Sequence, residues 1–184
     1  MGTIKTTNIE PIADNGTVTL GSSGDTFTLG SGVVQSNLNY PAFCANMSAN
    51  QSLTNLTITK VQFDTEILDT DGYYDNTTNY RFTPLVAGKY LVTAQTTVDG
   101  DPGEVRLVQT YIRKNGSTYV GRALINYHGS GDAEGGTTNA SAIVDMNGST
   151  DYLEAMSYAD IQSGSANVVA GEGLSNFYAY RIGS

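Results

Sequence analysis

The clearest signal in the chain is alternation. From Lys89 to Val98, Tyr90, Val92, Ala94, Thr96 and Val98 share one side while Leu91, Thr93, Gln95 and Thr97 share the other, the period-two signature of an extended strand. The run Leu53 to Phe63 also alternates β-branched with polar residues, and further strands are predicted at Tyr73-Tyr74, Tyr80 to Leu85, Val105 to Lys114, Tyr119 to Tyr127, Ala140 to Met146, Tyr152 to Tyr158 and Ser175 to Ile182. Turn residues separate them: Asp69-Thr70-Asp71-Gly72, Ala87-Gly88, Asp99-Gly100-Asp101-Pro102-Gly103, the stretch His128 to Gly136, and Asn147-Gly148. Lys114-Asn115-Gly116 is the sharpest of these, because Asn-Gly accepts positive φ at both central turn positions, and it predicts that Tyr119 to Tyr127 folds back antiparallel on Val105 to Arg113. No helical period is present. The pattern predicts an all-β fold, a jelly-roll sandwich of about ten strands over residues 39–184. Strands such as Tyr152 to Met156 are apolar on both sides, so one side fills a core and the other calls for a second subunit.

Residues 1–38 read differently. They hold small polar residues, glycine clusters and few large apolar side chains, and Thr19-Leu20-Gly21-Ser22 recurs nine residues later as Thr28-Leu29-Gly30-Ser31. Two short strands, Thr17 to Leu20 and Thr26 to Leu29, are predicted around Ser23-Gly24-Asp25. A strand pair with one thin apolar face is marginal alone, which makes this segment a stem or docking element that borrows surface from another molecule.

Composition narrows the function classes. The net charge of −9 rests on only nine Lys and Arg, too few for a phosphate-binding face, so no nucleic-acid partner is expected. No stretch is long and apolar enough for a membrane helix, and the start MGTIKTTNIEP lacks the apolar core of a signal peptide. Cys44 is the one cysteine, which excludes an intrachain disulfide and suits assembly in a reducing cytoplasm; its neighbours Pro41-Ala42-Phe43 make it a small core residue rather than a nucleophile. Asn-x-Ser/Thr sequences are frequent, and Asn before Gly or Ser reads as turn chemistry.

One segment carries a more specific pattern. VQFDTEILDTDGYYDNTTNYRFTPLVAGKY, with Phe63, Asp69, Tyr74, Phe82, Gly88 and Tyr90, resembles the signature of the complement component 1q head domain, a relative of the tumour necrosis factor trimers. The hairpin YIRKNGSTY, the stretch ending NGSTDYLEA and the terminal LSNFYAY follow in that family's order, so the resemblance spans about residues 40–184. It implies a ten-strand jelly roll that packs as a homotrimer, binds through exposed loops and has no enzymatic activity. By the same resemblance Phe63, Phe82, Tyr90 and Phe177 are core or trimer-axis residues. The segment IEPIADNGTVTLGSSGDTFTLGSG is similar to β stems of bacteriophage tail fibres, which implies a virion component assembled in a bacterial cytoplasm: residues 1–38 docking to other virion proteins, the head presented to a host-surface glycan or protein.

Candidate chemistry is sparse. A hydrolytic triad needs a histidine base, and the single histidine, His128, sits in a glycine-rich loop with no nucleophile elbow. The loop GSGDAEGG lacks the lysine of a phosphate cradle. Asp99, Asp101, Asp132 and Glu134 place hard oxygens on two loops, a set that would suit calcium, whereas solvated loop carboxylates are the plainer reading. No other cofactor is implied. Tyr111, Tyr119 and Tyr127 are candidates for stacking on a sugar ring, against an ordinary core or interface role. A soluble lectin-like or cytokine-like extracellular module is the alternative to the virion reading, and a glycan-cleaving enzyme would need a carboxylate pair in a groove.

Overall fold

In a computed structural model the chain divides into two units, Met1–Ser36 and Asn37–Ser184. The structure describes residues 40–101, 105–128, 133–171 and 173–183, with a few single positions before them. In the first unit Ile9 and Val18 are exposed, and the predicted strands there fall largely outside the described residues.

Among the described residues the second unit is all β and holds thirteen strand segments. These are β1 (Ala42–Asn46), β2 (Gln51–Leu53), β3 (Thr59–Lys60), β4 (Thr65–Asp69), β5 (Tyr74–Asp75), β6 (Arg81–Phe82), β7 (Gly88–Gly100), β8 (Val105–Lys114), β9 (Thr118–Asn126), β10 (Gly135–Met146), β11 (Leu153–Ile161), β12 (Ala166–Val168) and β13 (Asn176–Gly183). They form two antiparallel sheets. One has seven strands in the order β2-β12-β7-β13-β1-β4, with β10 paired to β7; the other has six in the order β5-β6-β11-β8-β9, with β3 paired to β11. This is the expected jelly roll, with segments of two or three residues raising the strand count.

Strand β7 organises the seven-stranded sheet. Its full length pairs with β10 along one edge, while the other edge takes β13 at Lys89 to Gln95 and β12 at Val98 to Gly100. The alternation read from the sequence is the one observed: Tyr90, Val92, Ala94, Thr96 and Val98 are buried between the sheets. The hairpin is also as predicted, Asn115 and Gly116 having φ of 56° and 72° between β8 and β9.

Two elements differ from the sequence expectation. The run Leu53 to Phe63 is broken after β2, because the Asn55 amide donates to the Ile161 carbonyl (3.0 Å) and accepts from the Ile161 amide (2.9 Å), turning the chain at Leu56 with φ of 58°. Strand β10 begins five residues earlier than alternation suggests, at Gly135. Glycine makes that extension feasible, since a Cβ at Gly135 would run into the Val98 carbonyl and one at Gly136 into the Tyr127 hydroxyl.

The signature positions converge on one aromatic cluster. Phe43 of β1 stacks on Tyr74 (centroids 4.6 Å) and Phe82 (4.5 Å), and meets Phe177 edge-on (4.9 Å). Phe63, Phe82, Tyr90 and Phe177 are fully buried within a single subunit. Asp69 builds the turn that delivers Tyr74: its carboxylate accepts backbone N–H groups from Asp71, Gly72, Tyr73 and Tyr74 at 2.8–3.3 Å. The buried phenols are satisfied, Tyr74 donating to the Phe63 carbonyl (2.9 Å) and Tyr90 to the Val86 carbonyl (2.7 Å). Gly88 has φ of 147°, and a side chain there would collide with the Gly183 carbonyl where β13 closes on β7.

Candidate interaction surfaces

Because strand side chains alternate, each sheet that covers the core also presents an outward face, and the two faces differ. On the seven-stranded sheet the register places Ile143, Leu91, Tyr180 and Ala42 side by side across four strands, with Tyr178, Cys44 and Leu68 in the next row. Ile143 is 64% exposed and Leu68 49%, while Leu91, Tyr178 and Tyr180 are half-buried. One end of this face is polar, with Thr93 and Ser141 sharing a hydrogen bond (3.0 Å) and Thr97 bonded to Thr137 (2.8 Å). Cys44, expected in the core, lies half-buried in this outward row because Phe43 and Ala45 take the inward positions on β1; burial pushes its thiol pKa up.

The outward face of the six-stranded sheet mixes polar, aromatic and aliphatic side chains, Leu124 among them at 47% exposure opposite Gln109. Register opposes Arg113 to Tyr119 and Tyr111 to Arg122 on β8 and β9, with Glu154, Met156, Tyr158 and Asp160 continuing the rows on β11. The Arg113 guanidinium lies 4.7 Å from the Tyr119 ring centroid and that of Arg122 lies 5.6 Å from Tyr111. Gln109 ties the group together, its carbonyl accepting from the Tyr111 hydroxyl (2.6 Å) and the Arg122 Nε (2.8 Å).

The three candidate tyrosines are therefore not equivalent. Tyr119 is 48% exposed and its ring is within 5.1 Å of Tyr111, which is only 9% exposed. Tyr127 is half-buried against the core and donates to the Gly135 carbonyl (2.9 Å). The arginines beside them had no distinguishing mark in the sequence; only the strand register brings them to the tyrosines.

The carboxylate loops do come together, since the Gly100 amide donates to the Glu134 carbonyl (2.7 Å). Asp99, Asp101 and Glu134 are exposed, Asp132 lies outside the described residues, and the Asp101 carboxylate accepts from the Ser165 amide (2.9 Å). Among the described residues no group of three or more His, Cys, Asp or Glu is gathered closely enough to hold a metal ion. His128 is exposed and its Nε2 lies 3.2 Å from the Asp160 carboxylate. A shallow depression of about 340 Å³ is lined by Gly72, Tyr73, Tyr74, Asp75, Arg81, Thr83 and Leu85. Asp75 is engaged there in its own turn, accepting from Thr77, Thr78 and Asn79, which holds its carboxyl below the usual range.

No protein-family model matches this chain, and no curated protein sequence is significantly similar to it. Solved structures do share the fold. Murine APRIL at pH 5.0 superposes with a TM-score of 0.55 at 9% identity, covering 77% of this chain and 98% of its own. Eiger TNF from S. frugiperda gives 0.55 at 10% identity, covering 78% and 91%. The chain thus has a tumour necrosis factor-like jelly roll.

Proposed function

We propose that the chain is a non-enzymatic, homotrimeric binding and structural module of a bacterial virus particle, a tail fibre, appendage or capsid decoration. In this reading residues 1–38 dock it to other virion proteins and the head is presented for adhesion to a host-surface glycan or protein. The observation that carries the assembly is the outward face of the seven-stranded sheet, where Leu91, Ile143, Tyr178 and Tyr180 form an unpartnered apolar band across adjacent strands. Apolar surface of this kind costs free energy in water in proportion to its area, and a second and third copy of the same face are suited to cover it. The resemblance to complement component 1q heads and the fold shared with APRIL and Eiger TNF favour threefold over twofold closure. The virion role draws its support from the alternating, repetitive segment ahead of the head.

A soluble lectin-like or cytokine-like module is the second reading, favoured by the same structural likeness. The two are separated by one experiment. Mass spectrometry of purified particles detects peptides of this chain if it is a virion component; its absence from particles, with retention of a trimer in solution, selects the second reading. Turnover of a host polysaccharide by the purified chain would overturn the non-enzymatic assignment.

A further inference from the structure

Charge is divided unequally between the two sheets. Among the described strands the six-stranded sheet carries six cations, Lys60, Arg81, Arg106, Arg113, Lys114 and Arg122, against the three anions Asp75, Glu154 and Asp160. The seven-stranded sheet carries two, Lys89 and Arg181, against Glu66, Asp69, Asp99 and Asp145. In a chain of net charge −9 the first sheet is thus a local positive surface.

Three of those cations, Arg81, Arg113 and Arg122, have no carboxylate within ion-pair distance among the described residues, and Arg81 lies instead over the Tyr152 ring (4.4 Å), a different ring from those of the other two. Lys60 pairs with Glu154 and Lys114 with Asp151 (2.7 Å), but neither Arg113 nor Arg122 has a carboxylate partner among the described residues. Neutral groups hold both guanidiniums in place instead. Arg113 donates to the Tyr119 hydroxyl and, at 3.5 Å, to the Gly116 carbonyl, and its Nε is buried without a hydrogen-bond partner. Arg122 spends its Nε on Gln109 and lies exposed over Tyr111. The two arginines occupy diagonal corners of the square whose other corners are the two tyrosines, a spacing on the order of 7–8 Å between strand positions. Guanidiniums fixed by ring contacts keep their planar donor edges oriented and their charge available.

We propose that this face binds an acidic glycan, with Arg113 and Arg122 receiving carboxylate or sulfate groups of the chain and the exposed Tyr119 ring lying against a sugar. The proposal deepens the reading of the head as a binding module. A glycan is favoured because an exposed ring and planar guanidinium donors side by side match a sugar face and its carboxylate or sulfate groups.

The test uses the full-length chain and four immobilised polymers: polygalacturonate, dextran sulfate, unsubstituted dextran and poly-L-glutamate. Retention on polygalacturonate or dextran sulfate, absent on dextran, weakened by salt and reduced at least tenfold by the pair Arg113→Gln and Arg122→Gln, is the expected result, and the preferred polymer identifies the anionic group. Arg122→Gln alone, an exposed position, is expected to lower retention without changing the thermal midpoint. Lack of binding to both acidic polysaccharides, binding indifferent to the arginines, or equal retention on poly-L-glutamate would overturn the proposal. Light scattering on the same samples separates the two readings: glycan binding lost from an intact trimer concerns this face alone, and a monomer concerns the assembly alone.

Discussion

The two outward faces of the sandwich are made from the same kind of strand, hydrogen-bonded in the same antiparallel way, yet they solve opposite problems. On the seven-stranded sheet the outward positions of β7, β10 and β13 include Leu91, Ile143, Tyr178 and Tyr180, which water solvates poorly, beside a polar end with Thr93, Thr97 and Ser141. On the six-stranded sheet the outward positions of β8 and β9 include Gln109, Tyr111, Arg113, Tyr119 and Arg122, where guanidiniums lie against aromatic rings, together with the exposed Leu124. Met156 shows the contrast at one residue, because it faces outward beside Tyr111 in register yet is only 5% exposed, while Ile143 on the other sheet is 64% exposed. On the six-stranded face Leu124 stays exposed among polar and arginine-stacked neighbours, whereas Ile143 and Leu68 on the seven-stranded face are exposed beside Leu91, Tyr178 and Tyr180. In the proposed assembly the seven-stranded face is the one that association would cover.

The perturbation with the largest effect removes what both faces depend on. Phe177 touches Phe43, Phe63 and Tyr74 in the core, and Phe177→Ala is expected to lower stability by about 3–5 kcal/mol, read as a shift of the urea midpoint. Next is a change confined to one face. Ile143→Asp sets a carboxylate in the apolar band and, if covered by a partner, leaves that charge unpaired, so association is expected to weaken by roughly a hundredfold or more while the isolated subunit stays folded by circular dichroism.

A smaller effect is expected at the hydroxyl chain that joins the sheets inside the sandwich. Thr110 of β8 bonds to Thr96 of β7 (2.6 Å) and Thr138 of β10 (2.5 Å), all three buried. Thr110→Val deprives both neighbours of a partner at a cost of about 1–3 kcal/mol, and it should leave the assembled mass unchanged because neither outward face is altered. The surface pair Lys89–Asp145 (2.7 Å) beside the apolar band is the lower bound: Lys89→Gln is expected to change stability by less than about 1 kcal/mol.

Acid and alkali probe different groups of the sandwich. Hydrogen bonds hold the carboxyls of Asp64, Asp75 and Asp151 below the usual range, so the stability they contribute is present above the unfolded carboxylate pKa near ~3.9 and is lost as pH falls below it. Burial pushes Tyr74 upward and Tyr90 up to about 12, so their contribution is full below the unfolded phenol pKa near ~10 and declines as pH rises past it. A denaturation series across pH is expected to show both limbs; an alkaline limb unchanged in Tyr90→Phe would contradict the assignment for Tyr90.

The sequence made some of this visible and hid the rest for identifiable reasons. Strand β7 was legible because each inward residue from Tyr90 to Val98 alternates without interruption, and the β8–β9 hairpin because Asn115-Gly116 fixes its own turn. The resemblance to complement component 1q heads implied that Phe63, Phe82, Tyr90 and Phe177 are core or trimer-axis residues, and all four are buried within the subunit. Strand β12 was hidden, since three residues, Ala166–Val168, carry too little pattern, and the early start of β10 was masked by glycines that ordinarily mark loops. The arginine–tyrosine square could not be read at all, because it depends on the register between β8 and β9, which shifts at Ile112/Arg113. The second apolar side anticipated on β11 is largely covered, Met156 being 5% exposed, while Ile143 on the opposite sheet is 64% exposed.

The most direct test of the contrast between the faces is light scattering of the full-length chain and its Ile143→Asp variant at matched concentration. The account predicts three times the 19.5 kDa subunit mass for the parent chain and the single subunit mass for the variant. A monomeric parent chain, or a variant that keeps the trimeric mass, would contradict it.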